Sequence, residues 1–180
     1  MEEKAINEQL KRYYEMLYPS QLKENEYVCL FMVKTDKEGN TACNEDGSEI
    51  KFHKYVKNYE QYEEYIGKYK YNYHIYTALA TVKFDKNKEL HRREANMRQR
   101  RVLFIDFDKK DYPNLHNVQE FTQMVKDKLP NLFLHAIYDS GNGYHFYTII
   151  EPTCKVRELC ELNKEICQLV GADTNACKVT

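Results

Sequence analysis

The sequence predicts an α+β chain, and three observations carry that prediction. Segments with apolar residues at helical spacing alternate with short runs rich in β-branched and aromatic residues. From residue 101 the order is strand, helix, strand, strand, helix, and one more strand after 172 would complete a βαββαβ unit. Of the 180 residues, 42% are hydrophobic and 31% charged, the balance of a globular chain with enough apolar surface for one good core.

Each element has a local reason. Apolar positions 6, 10, 13, 14 and 17 predict an amphipathic helix over 3–18, stopped by Pro19. "EYVCLFMVK" (26–34) predicts a buried strand, and "IKFHKYV" (50–56) a second one after a run of turn residues. Residues 55, 59, 62, 65, 66 and 69 fall at helical spacing, and five of those six are tyrosines. A stripe of that kind packs on a sheet or stacks on bases; packing is the expected role. "YNYHIYTALATVKF" (71–84) predicts one strand, and "RVLFIDFD" (101–108) another. A helix over 117–129 turns Val118, Phe121, Met124, Val125 and Leu129 inward. Strands follow at 132–139 and 144–150, separated by "SGNG", and then a helix over about 155–170 with Val156, Leu159, Leu162, Ile166 and Leu169 on one face. The expected organisation is a single domain over 1–180. An N-terminal α/β portion (1–70) packs with an RRM-like βαββαβ portion (71–180), the whole read as a piece of a longer protein.

Composition excludes some classes. The start, "MEEKAINEQLKRYYEML", lacks the basic-then-apolar order of a signal peptide, and the longest apolar run, "YVCLFMV", is too short to span a bilayer. A cytoplasmic protein with no membrane partner is expected. The six cysteines (29, 43, 154, 160, 167 and 177) form no CxxC pair, so reduced, packing thiols are expected and no zinc site. Net charge is −1, which gives no global field for nucleic acid. Locally, eight Lys/Arg between Lys83 and Arg101 face three acids, an excess of five positive charges. That stretch is either a solvated loop or a phosphate contact.

Chemistry concentrates at "FIDFDKK" (104–110). Residues i and i+2 of a strand share a face, so Asp106 and Asp108 point the same way, their Cα atoms about 6.6 Å apart. Two carboxylates there repel, and a divalent cation such as Mg²⁺ or Mn²⁺ resolves the conflict. The bland alternative is a strand end in water with Lys109 and Lys110 nearby. In "SGNGYHFY" (140–147), Gly141 and Gly143 free the backbone to turn its amides toward an anion, Ser140 adds a hydroxyl, and His145 begins the next strand opposite Tyr144 and Phe146. A plain hairpin turn is the alternative there. "GADTNA" (171–176) places Asp173 at the opening of the expected last strand.

These three pieces, in this order, resemble the motifs of the archaeo-eukaryotic primase superfamily, in particular the primase–polymerase domains of plasmids, phages and other mobile elements. "FIDFD", "SGNGYH" and "GAD" match its DxD, SGxGxH and hydrophobic-Asp motifs, over about residues 71–180. The resemblance implies that Asp106, Asp108 and Asp173 are catalytic and hold two divalent metals, Mg²⁺ or Mn²⁺. It implies that Ser140, Gly141, Gly143 and His145 bind the incoming nucleoside triphosphate. Arg92, Arg93 and Arg98 then become candidates for contact with single-stranded or primed DNA template. A helicase or further C-terminal domain is an expected partner. The activity implied is template-directed nucleotidyl transfer that makes or extends primers in DNA replication.

Two rivals stand beside it. A haloacid-dehalogenase-type phosphatase also uses a strand-borne DxD, but wants Thr or Val where this chain has Lys110, and places the doublet near the N-terminus. A catalytically silent RRM-like nucleic-acid-binding domain would carry aromatics, not carboxylates, at the centre of its open sheet face.

Overall fold

The computed structural model describes residues 2–175, with side chains from residue 5. Among the described residues, four helices and seven strands form a mixed α+β arrangement with an antiparallel sheet. It divides into two compact units, the first ending at Arg100 and the second starting at Arg101.

In the first unit, α1 (Glu2–Leu17) ends two residues before Pro19 and buries Tyr14, Met16 and Leu17. Strand β1 (Glu26–Lys34) is the hub of the sheet. It pairs with β2 (Lys51–Val56) and with β3 (Tyr73–Thr77), while its start pairs with β4 (Ala80–Lys83). The first part of β5 (Met97–Asp108) then pairs with β4, Ala80 opposite Arg100.

Helix α2 (Tyr59–Tyr69) starts later than the tyrosine spacing predicts. Tyr55 belongs to β2, and the helix begins where Asn58 accepts the Gln61 amide at 3.0 Å. Such a cap stabilises a helix start by about 1 kcal/mol, and here it sets the start at Tyr59, four residues after Tyr55. The remaining tyrosines pack: Tyr62 is 1% exposed against Tyr14, and Tyr69 lies 5.5 Å from Phe52.

The single strand expected over 71–84 is two. The chain leaves β3 at Ala78, whose amide donates to Cys29, so β3 and β4 take different stretches of β1. Residues 75–82 hold no glycine, proline or charge, so the sequence carries no local mark of such a step.

In the second unit the order is β5, α3 (Val118–Lys128), β6 (Ala136–Asp139), β7 (Gly143–Thr153) and α4 (Val156–Val170). β7 lies between β5 and β6, with Tyr138 opposite His145. Leu103, Ile105 and Phe107 of β5 enter one core with Phe121 and Val125 of α3, as their alternation and helical spacing predict. Residues 132–135 lie outside β6.

The buried face of α4 differs from the expected one. Leu162 and Leu169 are 48% and 60% exposed, whereas Cys160, Asn163, Cys167 and Val170 are buried with Val156, Leu159 and Ile166. Asn163 explains the rotation. Its side-chain amide accepts the Phe104 N–H and donates to the Phe104 carbonyl, both at 2.6 Å, so a polar residue faces inward to satisfy β5. Gly171 ends α4 in the left-handed region at φ +87°, the usual glycine stop. Of the cysteines, 29, 160 and 167 are buried and 43 and 154 exposed, and Cys177 lies outside the described residues. The last strand, expected after 172, has not begun at residues 173–175, and the rest of it lies outside the described residues.

Candidate functional site

Strand alternation puts Asp106 and Asp108 on the face of β5 opposite its core residues. Both are partly exposed, with side chains 29% and 43% accessible. Asp106 is where the three sequence motifs meet. His145, on β7 and turned away from the buried Tyr144 and Phe146, brings Nε2 to 3.4 Å from Asp106 Oδ1. Its ring also stands edge-on to Phe104 at 5.2 Å. From beyond α4, the Asp173 amide donates to the Asp106 carbonyl at 3.0 Å.

The 140–143 turn abuts the same strand end. The Lys109 amide donates to the Asn142 carbonyl at 2.8 Å. Gly143 is buried, and a Cβ there would fall onto the Phe107 carbonyl, so close packing of β7 on β5 requires glycine. Gly141 has φ +85° with open space around it, a conformational requirement rather than a packing one. Two of the turn's amides are engaged within it: Ser140 N–H donates to the Gly143 carbonyl and Gly141 N–H to Asp139 Oδ1 at 2.8 Å. Ser140 itself is exposed.

Two lysines and two further carboxylates complete the surroundings, and the motif reading had assigned none of them a role. Lys109 reaches Asp139 at 3.0 Å and the Gly141 carbonyl at 3.2 Å, with its ammonium 4.5 Å from the Tyr144 ring centre. Its hydrogen bond, with that of the Gly141 amide, holds the Asp139 carboxyl below the usual range. Lys110 pairs with Asp108 at 2.8 Å. That hydrogen bond, with the charges of Asp108, Asp111 and Asp173, lifts the Lys110 ammonium above the usual lysine range. The signal for Lys109 and Lys110 was their position directly after the doublet. Asp139 was signalled only by being an Asp just before a Gly-rich turn, where its side chain can bond the amide two residues on.

Asp106, Asp108 and Asp173 share a neighbourhood, but their oxygens do not close into one cluster. Each carboxylate has its own partner: His145, Lys110 and, for Asp173, the Asn175 amide at 2.8 Å. The donor set suits a hard divalent cation all the same. It offers carboxylate oxygens near one strand end, and a cation, the Lys110 ammonium, is already drawn to them.

The group whose ligand atoms all lie within 4.8 Å of one another, among the described residues, is Asp85, Glu89 and His91. His91 Nε2 is 2.9 Å from Glu89 and 3.9 Å from Asp85, and this group could hold a metal ion. In the sequence, Asp85 and Glu89 read only as charges offsetting the basic excess. That excess is itself less exposed than its composition implies. Arg100 is 2% exposed, Arg92 is half-buried with its guanidinium 4.9 Å from the Phe31 ring centre, and Arg93 and Arg98 are exposed.

No family model, curated protein or solved structure matches the chain. Among the described residues, no helix is long and apolar enough to cross a membrane.

Proposed function

We propose that this chain is a primase–polymerase domain that transfers nucleotides from nucleoside triphosphates onto a template-paired 3′ end, with an RRM-like second unit. One observation carries the reading: Asp106 meets both His145 at 3.4 Å and the Asp173 amide at 3.0 Å, so motifs far apart in sequence converge on one strand end. The order β5, α3, β6, β7, α4, followed by an amide bonded to the edge of β5, supports an RRM-like arrangement.

In this reading Asp106, Asp108 and Asp173 hold divalent cations. When bound, such ions neutralise the triphosphate and activate the attacking 3′-oxygen. His145 and Ser140 orient the phosphates, the imidazole N–H and the hydroxyl donating to phosphate oxygens. Gly143 brings the turn close enough to β5 for this to happen at one place. Lys109 and Lys110 add positive charge where negative charge develops, and positioning plus electrostatics account for nearly all of phosphoryl-transfer catalysis.

The test is incorporation of labelled nucleotides on single-stranded and primed DNA, with Mg²⁺ and Mn²⁺ in parallel and nucleotide binding measured beside it. Metal-dependent extension lost in Asp106→Asn supports the reading. Nucleotide neither bound nor incorporated under any of these conditions overturns it.

A further inference from the structure

The first unit carries a second feature, independent of the carboxylates. Residues of β1 alternate between two faces. Leu30 and Met32 are fully buried on the face that α2 covers, where Tyr69 packs on Phe52, the cross-strand partner of Met32. The other face centres on Phe31. In register, Phe31 is paired with His53 of β2 and with Tyr76 of β3.

These side chains form a row of rings. Tyr76 lies 6.0 Å from Phe31, Phe31 5.0 Å from His53, and His53 6.2 Å from Tyr55, with interplanar angles of 34°, 30° and 23°. At one end of the row Tyr76 is 53% exposed, and His53 is exposed within it. The Arg92 guanidinium sits 4.9 Å from the Phe31 centre. Burial, with the nearby Arg92 and His91 charges, lowers the His53 pKa and favours an uncharged ring.

The unpaired charge at the row is that of Arg92, 4.9 Å from the Phe31 ring centre. The strand positions that flank the row on the same face are Lys51 and His74, and no carboxylate occupies the row. Glu49 is paired with Lys51, and Asp85 and Glu89 lie against His91. A half-exposed row of rings inclined to one another by 23–34°, with a guanidinium on it, suits an anionic strand whose flat bases can continue the stack. An aliphatic surface would suit a protein or lipid partner better.

We propose that the Tyr76–Phe31–His53–Tyr55 row, with Arg92, is a base-stacking platform for single-stranded DNA. It rests on the primase–polymerase reading only in the choice of DNA over RNA. Stacking tolerates any base, so the platform reads no sequence. Arg92 serves it twice, through its cation–π contact and as a phosphate partner.

The chain has no tryptophan, which gives a clean test. Tyr76→Trp introduces one at the open end of the row. Its fluorescence should be quenched by an oligo-dT strand at low salt and hardly changed by duplex DNA. Tyr76→Ala should weaken oligo-dT binding by about five- to 150-fold, the loss expected for one stacking ring, with an unchanged unfolding midpoint. Tyr76→Phe should bind as wild type. Equal affinity of Tyr76→Ala and wild type overturns the platform, as does quenching by duplex equal to that by single strand. An oligo-U strand bound tenfold more tightly than oligo-dT overturns the assignment to DNA. Nucleotide incorporation keeps the two proposals apart. DNA binding that depends on Tyr76, with nucleotide neither bound nor incorporated, sinks the catalytic reading alone, and incorporation with Tyr76-independent binding sinks the platform alone.

Discussion

In the first unit the sheet face away from α2 is centred on Phe31, between His53 and Tyr76. In the second, the face of β5 away from its core carries Asp106 and Asp108, with His145 against Asp106. Both faces arise from the same two-residue alternation, yet their surroundings differ. Aromatic rings can stand half-exposed at little cost, and around Phe31 a single guanidinium suffices. Carboxylates at a partly covered strand end need compensation, and Lys109, Lys110 and His145 gather there. A face that collects cations around fixed acids is suited to ionic chemistry. A face of rings with one cation is suited to stacking.

The largest effect expected from breaking this contrast is at Asp106. Asp106→Asn should leave the unfolding midpoint equal or higher and reduce metal-dependent nucleotide incorporation by on the order of a hundredfold or more, since each ~1.4 kcal/mol of lost transition-state stabilisation is tenfold in rate. A variant retaining a third of wild-type activity would remove the acids of the second unit from catalysis.

Next comes the packing that builds the site. Gly143→Ala puts a methyl onto the Phe107 carbonyl and should destabilise by roughly 4 kcal/mol, at the severe end for single changes. Gly141→Ala meets open space and carries only the left-handed backbone penalty of about 1–2 kcal/mol. Urea denaturation of the pair checks the ranking; equal losses would mean that β7 does not need its close approach to β5.

A smaller effect is expected at His145. If it grips triphosphate, His145→Ala should raise the nucleotide KM and lower kcat while leaving the metal requirement unchanged. Normal nucleotide binding with a lowered midpoint would make it a packing residue beside Phe104.

The smallest effect concerns the basic stretch. Arg93→Gln with Arg98→Gln should flatten the dependence of log affinity for single strands on log salt by about 1.4, at about 0.7 per lost phosphate contact. Parallel lines for wild type and the double variant would assign both side chains to solvent.

What the sequence made legible were features with local causes. The alternation around "FIDFD" and the spacing of α3 placed Leu103, Ile105, Phe107, Phe121 and Val125 in one core. The turn glycines were legible as well, although their two different reasons were not, because a collision with Phe107 is visible only once β7 lies on β5. Tyr55 fitted a helical period by coincidence, and only the Asn58 cap shows where the helix starts. The spacing of Val156, Leu159, Leu162, Ile166 and Leu169 predicts one buried face, yet Leu162 and Leu169 stand exposed. The buried Asn163 displaced them because its partner is a main-chain group 59 residues away. The Tyr76–Phe31–His53 row was hidden for the same reason, since its rings come from three strands whose register no local pattern fixes.

Asn163 also has a consequence for alignment. By bonding both the N–H and the C=O of Phe104, its amide acts as a one-residue surrogate for a neighbouring strand. A helix held only by apolar contacts can slide along a sheet with modest loss, but a bidentate amide fits one notch and no other. That notch sets the phase of α4 against β5. With the helix stopped at Gly171, the ten residues from Asn163 become a fixed ruler, and its far mark, Asp173, falls beside Asp106. Replacing Asn163 would therefore act at a distance, detuning where the third carboxylate lands without touching any carboxylate.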